Sequence, residues 1–153
     1  MALTHKAYHD PLTDAFNNNY YEESIKTLDD GNWEYGILSI RLEGLNSITY
    51  AKGHEESDKW LRSFGSTLIL NTPEDGSSFR TGQDTFEMIV RSGERGILEH
   101  VTENITRAMR ILDYNDTAFP HVVSLGIAYS DEDEGGARDI ARLANARRKA
   151  SKN

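Results

Sequence analysis

Between Tyr35 and Tyr129 the spacing of apolar residues switches repeatedly between a period of two and a period near 3.6, and this order constrains the fold more than any other feature. From Tyr35 to Glu43, Leu38, Ile40 and Leu42 alternate with Ser39, Arg41 and Glu43, which predicts a strand with one polar face. Over Glu55 to Leu70, Trp60, Leu61, Phe64, Leu68 and Ile69 recur at helical spacing. Ser78 to Thr81 and Thr85 to Val90 flank the polar tip Gly82-Gln83-Asp84 and read as a hairpin. A helix over Gly96 to Leu112 follows, carrying Leu98, Val101, Ile105, Ala108, Met109 and Leu112. Val122 to Tyr129 reads as a further strand, and a last helix runs from about Ala137 to the chain end. An earlier helix is expected over Tyr20 to Leu28, closed by the turn residues Asp29-Asp30-Gly31-Asn32. The order β-α-α-β-β-α-β-α predicts an α/β (α+β) sandwich with a central mixed, largely antiparallel sheet flanked by helices.

Composition narrows the function. A chain of 153 residues is the size of one domain and needs no covalent staple for its core. It has no cysteine, which excludes disulfides, zinc–thiolate sites and thiol catalysis. A net charge of −8 argues against a protein built to grip nucleic acid phosphates. Its apolar runs are far shorter than the ~20 residues that span a bilayer, and the N-terminus has no apolar signal core, so no membrane insertion and a cytoplasmic location are expected. Asp131-Glu132-Asp133-Glu134 reads as a solvated acidic loop. The final helix, with Arg138, Arg142, Arg147, Arg148, Lys149 and Lys152, reads as a solvated basic face with a few phosphate contacts. His5, His9, His54, His100 and His121 are too scattered to suggest a ligand cluster, and Trp33 and Trp60 read as packing residues.

Four collinear segments carry a resemblance. His9-Asp10-Pro11-Leu12-Thr13-Asp14-Ala15-Phe16-Asn17-Asn18 is similar to an opening H-D-x-L-T-G-L-x-N-R. Arg41-Leu42-Glu43-Gly44-Leu45-Asn46-Ser47-Ile48-Thr49, through Gly53-His54 and Asp58, resembles D-x-D-x-F-K-x-I-N-D-x-x-G-H-x-x-G-D. Arg80-Thr81-Gly82-Gln83-Asp84-Thr85-Phe86 stands where R-x-G-G-D-E-F belongs, and Ser124-Leu125-Gly126-Ile127-Ala128 resembles S-x-G-I-A. Together they resemble the GGDEF (diguanylate cyclase) domain, over residues 1–153 as one degenerate domain with GQDTF in place of the signature. The resemblance implies a nucleotidyl cyclase palm-like fold. In active members it implies condensation of two GTP, one on each of two facing domains, into cyclic di-GMP with Mg²⁺. Because the chain begins almost on the first motif, excision from a larger multidomain signalling protein is expected.

The departures fall on the chemistry. The resemblance places Arg41 where the first metal-binding Asp belongs, and a guanidinium cannot hold a cation. Glu43 keeps the second acid and Asp84 the third signature letter, while Thr85 replaces the next acid and Gln83 the second glycine. The resemblance also implies that Arg41 and Asp84 meet as an ion pair where Mg²⁺ would lie. Nucleotide-binding candidates are Asn46, in place of a Lys, Thr49, in place of the guanine-reading Asn, the retained Asp58, Gly82, Gln83 and Lys152, with Lys149 competing for the role of Lys152. Asn145 stands for an Asp of the last helix, and Ser57 for a Gly. The inhibitory product site, R-x-x-D, would fall on Pro73 and Gly76, so no such site is expected. No catalytic residues, no metal and no cofactor are expected. The expected partners are other domains of the parent protein or a protein partner, with homodimerisation possible. The reading is an inactive regulatory, interaction or dimerisation module, the alternatives being a GTP-binding sensor without turnover and an active cyclase.

Overall fold

The computed structural model describes residues 7–115 and 122–151, without the side chains of 113–115. Helix α1 spans Asn18–Asp29, and its N-cap Asn17 accepts from the Tyr20 N–H at 3.0 Å. Strand β1 is Gly36–Glu43, followed by helices α2 (Leu45–Lys52) and α3 (His54–Leu70). The hairpin is β2 (Gly76–Arg80) and β3 (Thr85–Val90). Helix α4 (Ile97–Asn115), strand β4 (Val122–Tyr129), a short 3-10 turn at Ser130–Glu132 and helix α5 (Ala137–Ala150) complete the order. Every element expected from the apolar spacing is present.

The four strands lie in the order β2-β3-β1-β4, and each neighbouring pair is antiparallel. The parallel component expected of a mixed sheet is confined to a single bridge between Phe16 and Phe79. Both sheet faces are covered. On one, Leu38, Ile40 and Leu42 pack with Trp60, Leu61, Phe64 and Leu68 of α3 and with Leu98, Val101, Ile105 and Met109 of α4. On the other, Ile37, Ile89 and Ala128 pack against Tyr21, Ile25 and Leu28 of α1 and Ala137, Ile140, Ala141 and Ala144 of α5.

The second face differs from its sequence reading. Ser39 is 2% exposed, and its hydroxyl donates to Asn145 Oδ1 and accepts from Arg148 Nε at 3.0 Å. Arg148, expected on a solvated face, is itself buried, because α5 lies directly on β4 at Gly126. A Cβ at Gly126 would fall on the Ala144 carbonyl oxygen and the Arg148 amide nitrogen. Glu87, the register partner of Ser39 on β3, is buried and accepts from the Tyr21 hydroxyl at 2.6 Å. The acidic loop is only partly free: Glu132 forms a two-point pair with Arg147, and Asp131 pairs with Arg95 at 2.7 Å. Trp60 is buried as expected, whereas Trp33 is 46% exposed with the Arg91 guanidinium 4.6 Å above its ring. Ile69 is also half exposed at the end of its helix. Among the described residues no helix is long and apolar enough to cross a membrane. His5, His121 and Lys152 lie outside the described residues.

Candidate functional site

The site is built where the end of β1 meets the hairpin tip. Arg41 lies opposite Thr85 of β3 and Ser124 of β4, and the Leu42 N–H donates to the Asp84 carbonyl at 2.9 Å. This register puts Asp84 beside Arg41. Arg41 Nε donates to Asp84 Oδ2 at 3.1 Å, with the two side chains 39% and 23% exposed. The ion pair expected of these two residues is therefore formed, on the sheet face that Glu43 shares by alternation.

Glu43 is engaged elsewhere: its Oε2 accepts from the Ser124 hydroxyl at 2.7 Å. Thr85 turns inward to close the hairpin. Its carbonyl accepts from the N–H groups of Thr81 (3.0 Å) and Gly82 (3.3 Å), and its hydroxyl accepts from that of Thr81 at 3.1 Å. Gln83 is exposed at the tip, and its carbonyl accepts from Arg80 Nη2 at 2.8 Å. Among the described residues no three of His, Asp and Glu come together in a group able to hold a metal ion. A pair of divalent cations needs several oxygen donors each. Here the Asp84 carboxylate is taken by a guanidinium and Glu43 by a hydroxyl, so the donor set does not fit.

The hairpin is fixed from below by the opening segment. Arg80 Nη1 meets the Asp10 carboxylate at 3.2 Å, and the same carboxylate accepts from the Thr13 N–H at 3.0 Å and hydroxyl at 2.9 Å. Backbone bonds from Phe16 N to Ser78 O (3.0 Å) and from Arg80 N to Phe16 O (2.7 Å) fasten the segment along β2. His9 Nδ1 bonds the Asp14 carbonyl at 2.9 Å, in keeping with a structural place in this segment.

Of the nucleotide candidates, Asn46, Thr49 and Asp58 occupy α2 and the start of α3, and Gly82 and Gln83 the hairpin tip. Gly44 (φ 79°) and Gly53 (φ 92°) bracket α2 in left-handed conformations open to glycine, so the chain turns sharply from β1 and again into α3. Asn46 is exposed, Thr49 bonds back to the Leu45 carbonyl at 3.1 Å, and Asp58 is partly exposed on the first turns of α3. Ser57 is buried and caps back onto the His54 carbonyl at 3.1 Å. Pro73 and Gly76 form a turn, Gly76 N donating to Pro73 O at 2.9 Å. Ser124, Thr81 and the buried Arg148 were not singled out by sequence reasoning as partners of the site. The strand register that places Ser124 opposite Arg41 is the signal that identifies it.

The sequence model described as "Diguanylate cyclase, GGDEF domain" matches residues 7–153. The chain belongs to the GGDEF domain family. It is 22% identical over 147 residues to an Escherichia coli K12 protein described as "Probable diguanylate cyclase DgcT", covering 91% of this chain but only 32% of that relative. Among solved structures it resembles the coiled coil and GGDEF domain of DgcB from Caulobacter crescentus in complex with c-di-GMP (TM-score 0.84, 19% identity, 99% of this chain and 83% of that one). It is similar as well to the diguanylate cyclase SiaD in complex with its activator SiaC from Pseudomonas aeruginosa (TM-score 0.85, 16% identity, 99% and 60%). The Vibrio cholerae LapD S helix-GGDEF-EAL structure bound to c-di-GMP is a third (TM-score 0.81, 23% identity, 99% and 36%). These likenesses establish the palm-like fold of the GGDEF domain.

Proposed function

We propose that this GGDEF domain does not condense GTP and serves as a regulatory, interaction or dimerisation module of a larger cytoplasmic protein in cyclic di-GMP signalling. The Arg41–Asp84 ion pair carries the reading. Nucleotidyl transfer in the family depends on Mg²⁺ to neutralise phosphate charge and activate the attacking hydroxyl. Arg41 brings a fixed positive charge to that position and engages the one signature acid that remains. Gln83 and Thr85 alter the turn, and Thr49 replaces the base-reading amide, so metal, turn and base contacts change together. A relative solved with a protein activator, and another solved as one domain among several, support a modular role with a protein or domain partner. Incubation with GTP and Mg²⁺ or Mn²⁺, followed by chromatography for cyclic di-GMP, tests the proposal: no product is expected, and a product peak overturns it.

A second reading, a sensor that binds a guanine nucleotide without turnover, draws on the accessible Asn46 and Asp58 on either side of Gly53. Calorimetry with GTP, GDP and cyclic di-GMP separates the two readings, since submillimolar binding of any of them favours the sensor.

A further inference from the structure

Beneath α1 and α5 one row of residues crosses the sheet: Phe79 on β2 faces Glu87 on β3, Glu87 faces Ser39 on β1, and Ser39 faces Gly126 on β4. Helix α5 enters this row at Gly126, where the Arg148 backbone sits against the glycine. From there the Arg148 side chain runs back along the row, and its Nε donates to the Ser39 hydroxyl at 3.0 Å. The next residue in the row is Glu87, which α1 covers from the other side. The Tyr21 hydroxyl donates to it at 2.6 Å, and the Tyr21 ring stands edge-on to Phe79.

Glu87 is 6% exposed and Arg148 7%. Neither has a partner of opposite charge within salt-bridge distance among the described residues. Two unpaired charges buried in neighbouring positions are costly, and the cost falls in one of two ways. Either Glu87 takes up a proton, or the guanidinium leaves Ser39 and pairs with the carboxylate. Adjacent strands lie about 5 Å apart, a step that a long side chain covers by rotation alone. The other groups facing Glu87 leave both states open. On α1, burial and the nearby Glu87 raise the pKa of Tyr21, which stays a donor, and Glu22 is held by Arg138 of α5. On β1, Arg41 is held by Asp84, and on α5 Asn145 accepts from Ser39. The outer strands add only Phe79 and Gly126 to the row. Burial raises the Glu87 carboxyl to about 7, so the two states exchange near neutral pH.

We propose that Arg148 is a proton-controlled arm of α5, resting on Ser39 while Glu87 is protonated and crossing to the Glu87 carboxylate when the proton is released. In that step the carboxyl O–H bond breaks, the proton passes to water, and a guanidinium N–H donates to the oxygen left charged. The α5 backbone does not slide, because its contact with Gly126 leaves no slack, and only the side chain moves. Ser39 then keeps Asn145 alone, and the carboxylate joins Tyr21 of α1 to Arg148 of α5. The pair limits the cost of a buried carboxylate rather than stabilising the fold outright. Acidification through neutrality unties α1 from α5 at this point, so the seating of the two helices responds to pH. The device needs neither nucleotide nor metal.

The test uses the whole chain, isotope-labelled and titrated by NMR from about pH 5 to about pH 9. The Glu87 carboxyl carbon and the Arg148 Nε–H are expected to shift together, with one midpoint near neutrality. E87Q abolishes the Arg148 change. R148M removes the arm and is expected to raise the proton affinity of Glu87 about tenfold, whereas S39A removes the resting place and lowers it. A residue that merely packs would not move the midpoint in these opposite directions. The wild-type titration decides even where a variant fails to fold. An Arg148 signal that stays constant while Glu87 titrates overturns the proposal, as does a Glu87 that titrates in the ordinary carboxylate range or shows no midpoint between the two limits. Equal midpoints in wild type and folded R148M overturn it as well.

Discussion

Arg41 Nε lies 3.1 Å from Asp84 Oδ2, so the signature acid of the hairpin is bound by a fixed cation on the neighbouring strand. Arg41 is more than a third exposed, and an ion pair in that setting contributes only about 0–1 kcal/mol. On the proposed reading it acts through its charge rather than through stability. R41A is expected to lower the unfolding free energy by less than about 1 kcal/mol in urea titrations.

R41D places two carboxylates side by side where the wild type has a neutralised pair. Millimolar Mg²⁺ is expected to raise the melting temperature of R41D and leave that of the wild type unchanged, because only the variant presents uncompensated oxygen donors to a cation. Turnover of GTP is not expected to return with it, since Gln83, Thr85 and Thr49 still alter the turn and base contacts. Equal responses of both proteins to Mg²⁺ would count against the ion pair as the feature that keeps the metal out.

Asp10 anchors the opening segment to the hairpin through Arg80 and Thr13, with both ionic side chains mostly buried at 17% and 15% exposure. Removing one partner of such a pair strands the other in a poorly hydrated place. D10A is therefore expected to cost about 3 kcal/mol, more than R41A, and to expose residues before Asn17 to limited proteolysis while the sheet remains folded.

The alternation in β1, the hairpin and the helical stripes were legible because each buries a repeating apolar face that packing must satisfy. The Arg41–Asp84 contact was legible too, since the likeness to the family fixed the strand register. What escaped was polar and long-range. Arg148 sits among basic residues that read as a solvated face, and only the small residue Gly126, far along the chain, brings α5 close enough to bury it. Glu87 reads as one polar position in an alternating strand, yet the face it points to is covered by α1 and α5. Asp131 and Glu132 read as free acids because their partners, Arg95 and Arg147, come from two different helical ends.

G126A tests the close approach of α5 to the sheet. The added methyl would overlap backbone atoms of Ala144 and Arg148, which cannot rotate away as a side chain would. Helix α5 must shift, opening the contact between Arg148 and Ser39. A destabilisation of about 2–3 kcal/mol is expected, with the damage localised to α5 and β4 in hydrogen exchange. A substitution within about 0.5 kcal/mol of wild type would show that α5 sits less tightly than the structure describes.

Glu87 makes the stability of the domain depend on pH in an unusual direction for a carboxylate. Burial raises its pKa from 4.5 to about 7, opposed by the Tyr21 hydroxyl and by Arg138 and Arg148, with Glu22 adding to the rise. The folded state then holds a proton that the unfolded chain has already released, so stability falls as pH climbs from about 4.5 to about 7 and is level above that. Glu132 behaves oppositely: its pair with Arg147 lowers its pKa from 4.5 to about 2, and its contribution is lost as the solution is acidified from about 4.5 to about 2. E87Q keeps an acceptor for the Tyr21 hydroxyl without the charge. It is expected to raise stability by about 1–3 kcal/mol at pH 8 and to leave it nearly unchanged at pH 4.5, as measured by urea unfolding at the two values. An equal gain at both would place the effect in packing rather than in the proton.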